Sequence, residues 1–272
     1  MRWTQWRSLD PFSDTLILPW NDIGAIEFVL SKYDWNIAAV IMEPIAINGW
    51  GIMADLEYFQ AIKDLSIKKQ FLIIFDEIIT GFRVNYGSVY KQTAIAPDIH
   101  IFWKWLAGWS FPISCFIASS KIMSLYAKRN VTHGWTFNGY LLWLVAIKST
   151  LDILSKTDSY DNAKYFSEKL RLLIEKSAKK AWIDIVVQGP SMAMVIHAMP
   201  SILSDPNKWT YYIKQKEELI RYAFAKEKII LAPPCRIYPT IMFNEDAYMF
   251  VEERIDKVME NLTTLYNEKA RS

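Results

Sequence analysis

Two apolar runs that each end in an acid, with one amphipathic segment between them, constrain this chain more than any other feature. The first run is IAAVIME (Ile37–Glu43), closed by Pro44. The second is FLIIFD (Phe71–Asp76). Between them, DLEYFQAIKDLSIKK (Asp55–Lys69) places Leu56, Phe59, Ile62 and Leu65 three apart. That spacing predicts a helix with one buried stripe and Asp55 at its N-cap. Strand, helix and strand with short connections form a βαβ unit, so the strands are expected to be parallel and covered on both faces.

The pattern continues along the chain. Pro97–Trp103 and Pro112–Ala118 read as further strands, and Ser119–Lys128 and Gly139–Leu154 as helices. The polar stretch SKTDSYDN (Ser155–Asn162) interrupts them and predicts a domain boundary, dividing the chain into residues 1–155 and 156–272. The second part reads as α+β. Helices are expected over Ala163–Lys179, Lys208–Lys226 and Glu245–Asn267. Strands are expected over Ile183–Gln188, Met192–His197, Ile229–Leu231 and Ile237–Met242.

With 52% apolar residues, a sizeable core is expected. The 31 basic and 29 acidic residues balance to +2, which gives no electrostatic footprint for nucleic acid. No apolar run approaches the ~20 residues of a membrane span, so no membrane partner is expected. The opening MRWTQWRSLDPFSD lacks the apolar stretch of a signal peptide. With two widely separated cysteines, Cys115 and Cys235, it points to a cytoplasmic protein with reduced thiols. Three histidines without paired spacing give no metal site.

In parallel α/β sheets, ligands sit beyond the carboxyl ends of the strands. Asp76 and Glu43 end two such strands, and Lys104 lies just past a third. Two carboxylates and one lysine are therefore candidates for a common sheet edge. Taken singly, each has a plainer reading: an acid at a strand end also serves as a helix N-cap or salt-bridge partner, and a lone lysine is commonly solvated.

The order of motifs adds to this. IAAVIMEP, LIIFDEIITGFRVNYGSVY, APDI, Lys104, FPISCF and HGWTFNG follow one another, with TLILPWNDIGAIEFVL upstream and IVVQGPSMAMVI and IILAPPCRIYPTIMFNED downstream. The set resembles the class III aminotransferases, the fold-type-I pyridoxal-phosphate group that includes glutamate-1-semialdehyde aminomutase. The resemblance implies an α/β large-domain portion with a mostly parallel sheet and a smaller α+β C-terminal domain. It implies an aminotransferase or aminomutase with pyridoxal 5'-phosphate as cofactor. Lys104 would be the catalytic Schiff-base lysine and the base that moves the substrate proton. Asp76 would pair with the pyridine nitrogen. Ile78 would pack on the ring, and Thr136 would bind the cofactor phosphate from the neighbouring subunit of a homodimer. Arg236 is the weaker candidate for the substrate. Arg83 is expected to pair with a structural carboxylate or with substrate, and Glu77 to form a structural salt bridge. The partners implied are a small-molecule amino donor and a carbonyl acceptor.

The sequence also departs from the family. The Ser-Gly-(Thr/Ser)-Glu-Ala phosphate turn and the aromatic that stacks on the ring have no counterpart, so the chain is expected to be truncated and completed by a partner that supplies that segment. The lysine segment FWKWLAGWSFP carries Trp103, Trp105 and Trp109 where the family is glycine-rich, and one residue more before Pro112. Glycine admits positive φ and close backbone approach, and tryptophan is expected to admit neither. An inactive remnant serving as a structural or interaction module is the alternative these departures leave open. A binding module with an aromatic-rich surface is a further one.

Overall fold

In this computed structural model the two acid-ended runs lie side by side and parallel. The structure describes residues 14–33, 36–48, 50–128, 131, 133–134, 136–156, 158–204 and 211–271. The chain divides into two compact units. The first takes Met1–Pro44, Ala54–Gly81 and Ser88–Ile153, and the second takes Ile45–Met53, Phe82–Gly87 and Leu154–Ser272. Two short excursions of the earlier sequence thus belong with the later part.

The first unit opens with α1 (Ile23–Tyr33). The Asp22 carboxylate accepts from the Ala25 N–H at 2.9 Å and satisfies an amide that the first turn leaves open. Strand β1 (Ala39–Met42) follows; β2 (Ile45–Ala46) and β3 (Ile52–Met53) form an antiparallel pair in the second unit. Helix α2 (Leu56–Lys69) starts after Asp55, which has the extended backbone of an N-cap but makes no side-chain cap bond. Lys68 and Lys69 lie in its last turn, where cations oppose the helix dipole. Then come β4 (Leu72–Asp76), α3 (Tyr90–Thr93), β5 (Ile99–Phe102), β6 (Cys115–Ala118), α4 (Ser120–Ala127) and α5 (Leu141–Ser155).

The sheet order is β1-β4-β5-β6. β1 and β5 run parallel to β4, with Met42 opposite Phe75 and Asp76 opposite Ile101. β6 runs antiparallel to β5, with Cys115 opposite Phe102. On β4, Ile73 and Phe75 are fully buried in a cluster with Ile26 and Leu30 of α1 and Phe59 and Ile62 of α2. Leu72, Ile74 and Asp76 on the alternate face are only half-buried, so the two-sided cover expected from the apolar run is deep on one side alone. Among the described residues, none from Gly108 to Asp158 is buried, although α5 carries Leu141, Leu142, Leu144 and Val145. Burial pushes up the pKa of the half-buried Cys115 thiol on β6.

The second unit contains α6 (Ser159–Lys180), β7 (Val186–Gln188), β8 (Met194–His197), α7 (Tyr211–Lys226), β9 (Arg236–Ile237) and α8 (Glu245–Arg271). Its antiparallel sheet runs β7-β8-β9, and all four residues of β8 are buried. Leu170 and Ile174 of α6, Ile220 and Phe224 of α7, and Val258 and Leu262 of α8 pack around that strand in one cluster. Gly189 has φ +95°, and a Cβ there would lie 2.6 Å from the Ala193 carbonyl oxygen, so only glycine fits the turn between β7 and β8. The strands expected over Ile229–Leu231 and Ile237–Met242 shrink to β9 and a single bridge between Ala232 and Arg236. Pro233, Pro234 and Pro239 have no N–H for a ladder, which limits pairing on both sides of β9.

A buried polar cluster ties this unit together. His197 Nδ1 lies 2.8 Å from Glu217 Oε1, and His197 Nε2 lies 2.9 Å from the Trp50 carbonyl oxygen. Cys235 is buried beside them, its Sγ–H donating to the Glu217 backbone carbonyl, and burial raises its thiol pKa well above the usual range. Among the described residues, no helix is long and apolar enough to cross a membrane.

Candidate active site

Because β1, β4 and β5 are parallel, their carboxyl ends share one edge of the sheet. Glu43 follows β1 by one residue, Asp76 is the last residue of β4, and Lys104 follows β5 by two. All three are half-buried. Asp76 Oδ1 accepts from the Ile78 N–H at 3.0 Å, an Asx turn that orients the carboxylate and reverses the chain after the strand. Ile78 is half-buried in the same turn. Lys104 has φ +52°, and its Nζ lies 5.9 Å from the centre of the Trp103 ring.

The first unit therefore brings Asp76, Ile78 and Lys104 to adjacent strand ends. Thr136 belongs to that unit as well, but stands exposed in the 136–139 turn ahead of α5. Arg236 belongs to the second unit, on β9, where its Nη2–H donates to the Asn48 carbonyl at 3.2 Å. Arg83 is also in the second unit. It is buried, donates from Nη1 to the Pro239 carbonyl, and lies 5.8 Å from the Tyr238 ring centre. Burial lowers its pKa to about 10, against the opposing influence of Tyr238 and Tyr160.

Glu77 has more contacts than its sequence context indicated. Its side chain is fully buried. The carboxylate accepts from the Val89 N–H at 2.8 Å, from the Ser88 hydroxyl and from Thr80 Oγ1 at 3.5 Å. His100 Nδ1 is 3.0 Å away. The salt bridge expected of Glu77 is thus largely a cage of neutral donors, with one imidazole from β5. The Glu77 N–H also donates to the Ile101 carbonyl at 2.9 Å, extending the β4–β5 ladder past Asp76. The Phe102 ring occupies the space of a missing side chain: a Cβ on Gly81 would lie 2.3 Å from Phe102 Cδ1.

The lysine segment corrects one expectation. Trp109 adopts φ +64° beside Gly108 at +56°, so a tryptophan does take a left-handed conformation in this loop. Trp105 and Trp109 pack edge to face with centroids 5.1 Å apart. Trp105 Nε1–H donates to the Ile79 carbonyl at 3.0 Å. No spacing rule in the sequence pairs Trp105 with Ile79, or Glu77 with Ser88 and His100. These contacts arise from the register of β4 against β5. Among the described residues, no group of three or more histidine, cysteine or acidic side chains is placed to hold a metal ion.

The family model described as "Aminotransferase class-III" matches residues 11–262. This chain belongs to the class III aminotransferases. It is 36% identical over 181 residues to the glutamate-1-semialdehyde 2,1-aminomutase of Polynucleobacter asymbioticus, an alignment covering 66% of this chain and 42% of that protein. It is 30% identical over 223 residues to the enzyme of the same name from Natranaerobius thermophilus, covering 81% of this chain and 51% of that protein. The chain thus spans about half the length of the curated relatives it matches. Among solved structures, an omega-transaminase from Sphaerobacter thermophilus superposes with a TM-score of 0.85 at 20% identity, covering 91% of this chain and 57% of that one. A beta-phenylalanine aminotransferase from Variovorax paradoxus gives 0.78 at 19% identity, covering 94% and 58%. These structural likenesses establish the fold. It is that of a class III aminotransferase, with a mostly parallel sheet in the first unit and a smaller antiparallel one in the second.

Proposed function

We propose that this chain carries the lysine-bearing part of a pyridoxal-phosphate-dependent aminotransferase or aminomutase site. The observation that supports this reading is the placement of Asp76 and Lys104 on adjacent parallel strand ends of one sheet edge. The donor set suits the cofactor: a carboxylate matches a protonated pyridine nitrogen, and a primary amine matches an aldehyde. When bound, pyridoxal phosphate supplies a sink for the electron pair left behind as the substrate loses its α-proton.

In this reading the Asp76 carboxylate, oriented by the Ile78 N–H, keeps a proton on the ring nitrogen. Ile78 presents an apolar side chain to one face of the ring. Lys104 would hold the cofactor at its aldehyde, and once displaced by the substrate amine its freed Nζ would move the substrate proton between carbon centres. Thr136, on its exposed turn, binds phosphate across a homodimer, and Arg236 binds a substrate carboxylate. The substrates are a small-molecule amino donor and a carbonyl acceptor, and the protein works in the cytoplasm.

The test is an absorbance scan of the purified 272-residue chain with added pyridoxal phosphate, repeated on Lys104→Ala. The wild type is expected to show a band near ~420 nm that Lys104→Ala loses. Identical spectra without that band overturn the proposal and favour a structural or interaction module built on the same fold.

A further inference from the structure

We infer that Trp105 is a positioning residue whose indole clasps the loop carrying Lys104 to the turn that follows Asp76, and so sets the spacing of these two groups. The inference rests on the cofactor reading above for its functional meaning, and on the geometry of the first unit for its physical basis.

The loop after β5 needs such a tie. Lys104 and Trp109 both adopt left-handed backbone without being glycine, a strained conformation for a residue that carries a side chain. The backbone bonds within the loop are local. Trp105 N–H donates to Trp103, Gly108 N–H to Trp105, and Ser110 N–H to Ala107, each within three residues. These bonds shape the loop but do not fix it to the sheet. The Trp105 indole does, through its 3.0 Å bond to the carbonyl of Ile79, 26 positions earlier in the chain.

The acceptor is well placed for this. Ile79 is buried, and its turn is braced by the Glu77 carboxylate, which reaches Thr80, Ser88, Val89 and His100. Asp76 opens that turn through its bond to the Ile78 N–H. Lys104 immediately precedes Trp105. The indole bond therefore links the residue after Lys104 to a turn that begins at Asp76. Trp109 backs the indole edge to face, and Leu106 and Ala107 are buried beside it. In a loop where the family is glycine-rich, the aromatic side chain supplies a restraint that glycine does not have.

Trp105→Phe keeps an aromatic ring and removes the N–H together with the pyrrole part of the indole. Trp109→Phe alters the neighbouring ring and leaves the clasp intact. Two readouts apply to the full 272-residue chain. The first is amide hydrogen exchange, by mass spectrometry, in peptides spanning 77–81 and 103–108. The second is the pH midpoint of the Lys104-dependent absorbance with pyridoxal phosphate.

Trp105→Phe is expected to speed exchange in both peptides by about five- to tenfold, the loss of one net hydrogen bond. It is also expected to move the absorbance midpoint while the band persists. Trp109→Phe should leave the 77–81 exchange within roughly twofold of wild type. The inference is overturned if Trp105→Phe matches wild type in exchange, or if Trp109→Phe speeds the 77–81 exchange as much, which would assign the effect to ring packing. It also fails if exchange rises but the absorbance midpoint stays fixed, which would leave Trp105 a purely structural tie. If the wild type shows no Lys104-dependent band, the cofactor reading fails by itself, and exchange alone decides whether the clasp exists.

Discussion

Glu77→Ala is expected to destabilise the first unit by about 3–5 kcal/mol, because it strips a fully buried carboxylate from the donors packed around it. The Val89 N–H and the His100 ring lose their acceptor, and the Thr80 and Ser88 hydroxyls must find others. The damage lies next to Asp76 and reaches β5, the strand that leads to Lys104. Glu77→Gln keeps the shape but sets an amide N–H against one of those donors, so an intermediate loss of about 1–2 kcal/mol is expected. The two units need not unfold together, so a single global midpoint is the wrong observable. Urea-dependent amide exchange of β4 and β5 peptides reads the first unit alone. A loss below about 1 kcal/mol for Glu77→Ala would show that the cage contributes little.

His197→Ala is expected to have a comparable effect in the second unit, again about 3–5 kcal/mol. A carbonyl only accepts, so the 2.9 Å contact with Trp50 puts a hydrogen on His197 Nε2. The 2.8 Å contact of Nδ1 with Glu217 requires a second proton between them. The imidazole therefore bridges the β2–β3 hairpin to α7 through β8. Removing it leaves the Glu217 carboxyl in an apolar interior without its imidazole partner. A double variant, His197→Ala with Glu217→Ala, should lose less than the two single losses combined, because both single changes break the same contact. Exchange in β8 and α7 peptides measures both. Strict additivity would show that the two side chains act separately.

The sequence showed the strand ends better than it showed what holds them. The run FLIIFD stops within a residue of β4, because an acid ends an apolar strand where the edge meets water. Of the stripe expected on α2, Phe59 and Ile62 are fully buried and Leu65 is half-buried, while Leu56 in the first turn is exposed. Helix α1 carries the same kind of signal, Asp22 as cap with Ile26 and Leu30 four apart. The β2–β3 pair is two residues per strand and too short for any period to register. The strand expected over Ile237–Met242 fails because Pro239 cannot join a ladder. At the site, periodicity places Asp76 and Lys104 at one edge. It says nothing about Glu77, His100 and Trp105, whose contacts join residues 23 to 26 positions apart and depend on register. Trp109 at positive φ shows that local preference yields when the surrounding loop demands it.

The two cysteines give the molecule a pair of chemical clocks, one in each unit. Cys115 sits on the outer strand of the first sheet, opposite Phe102, and Cys235 sits in the core of the second unit. Burial pushes up both thiol pKa values, and Cys235, which is fully buried, reacts with an alkylating reagent only as its surroundings open. Cys115, half-buried at a sheet edge, should label first and Cys235 much later. The Cys235 labelling rate then times the opening of the second unit's core, with Cys115 as an internal reference and no residue substituted.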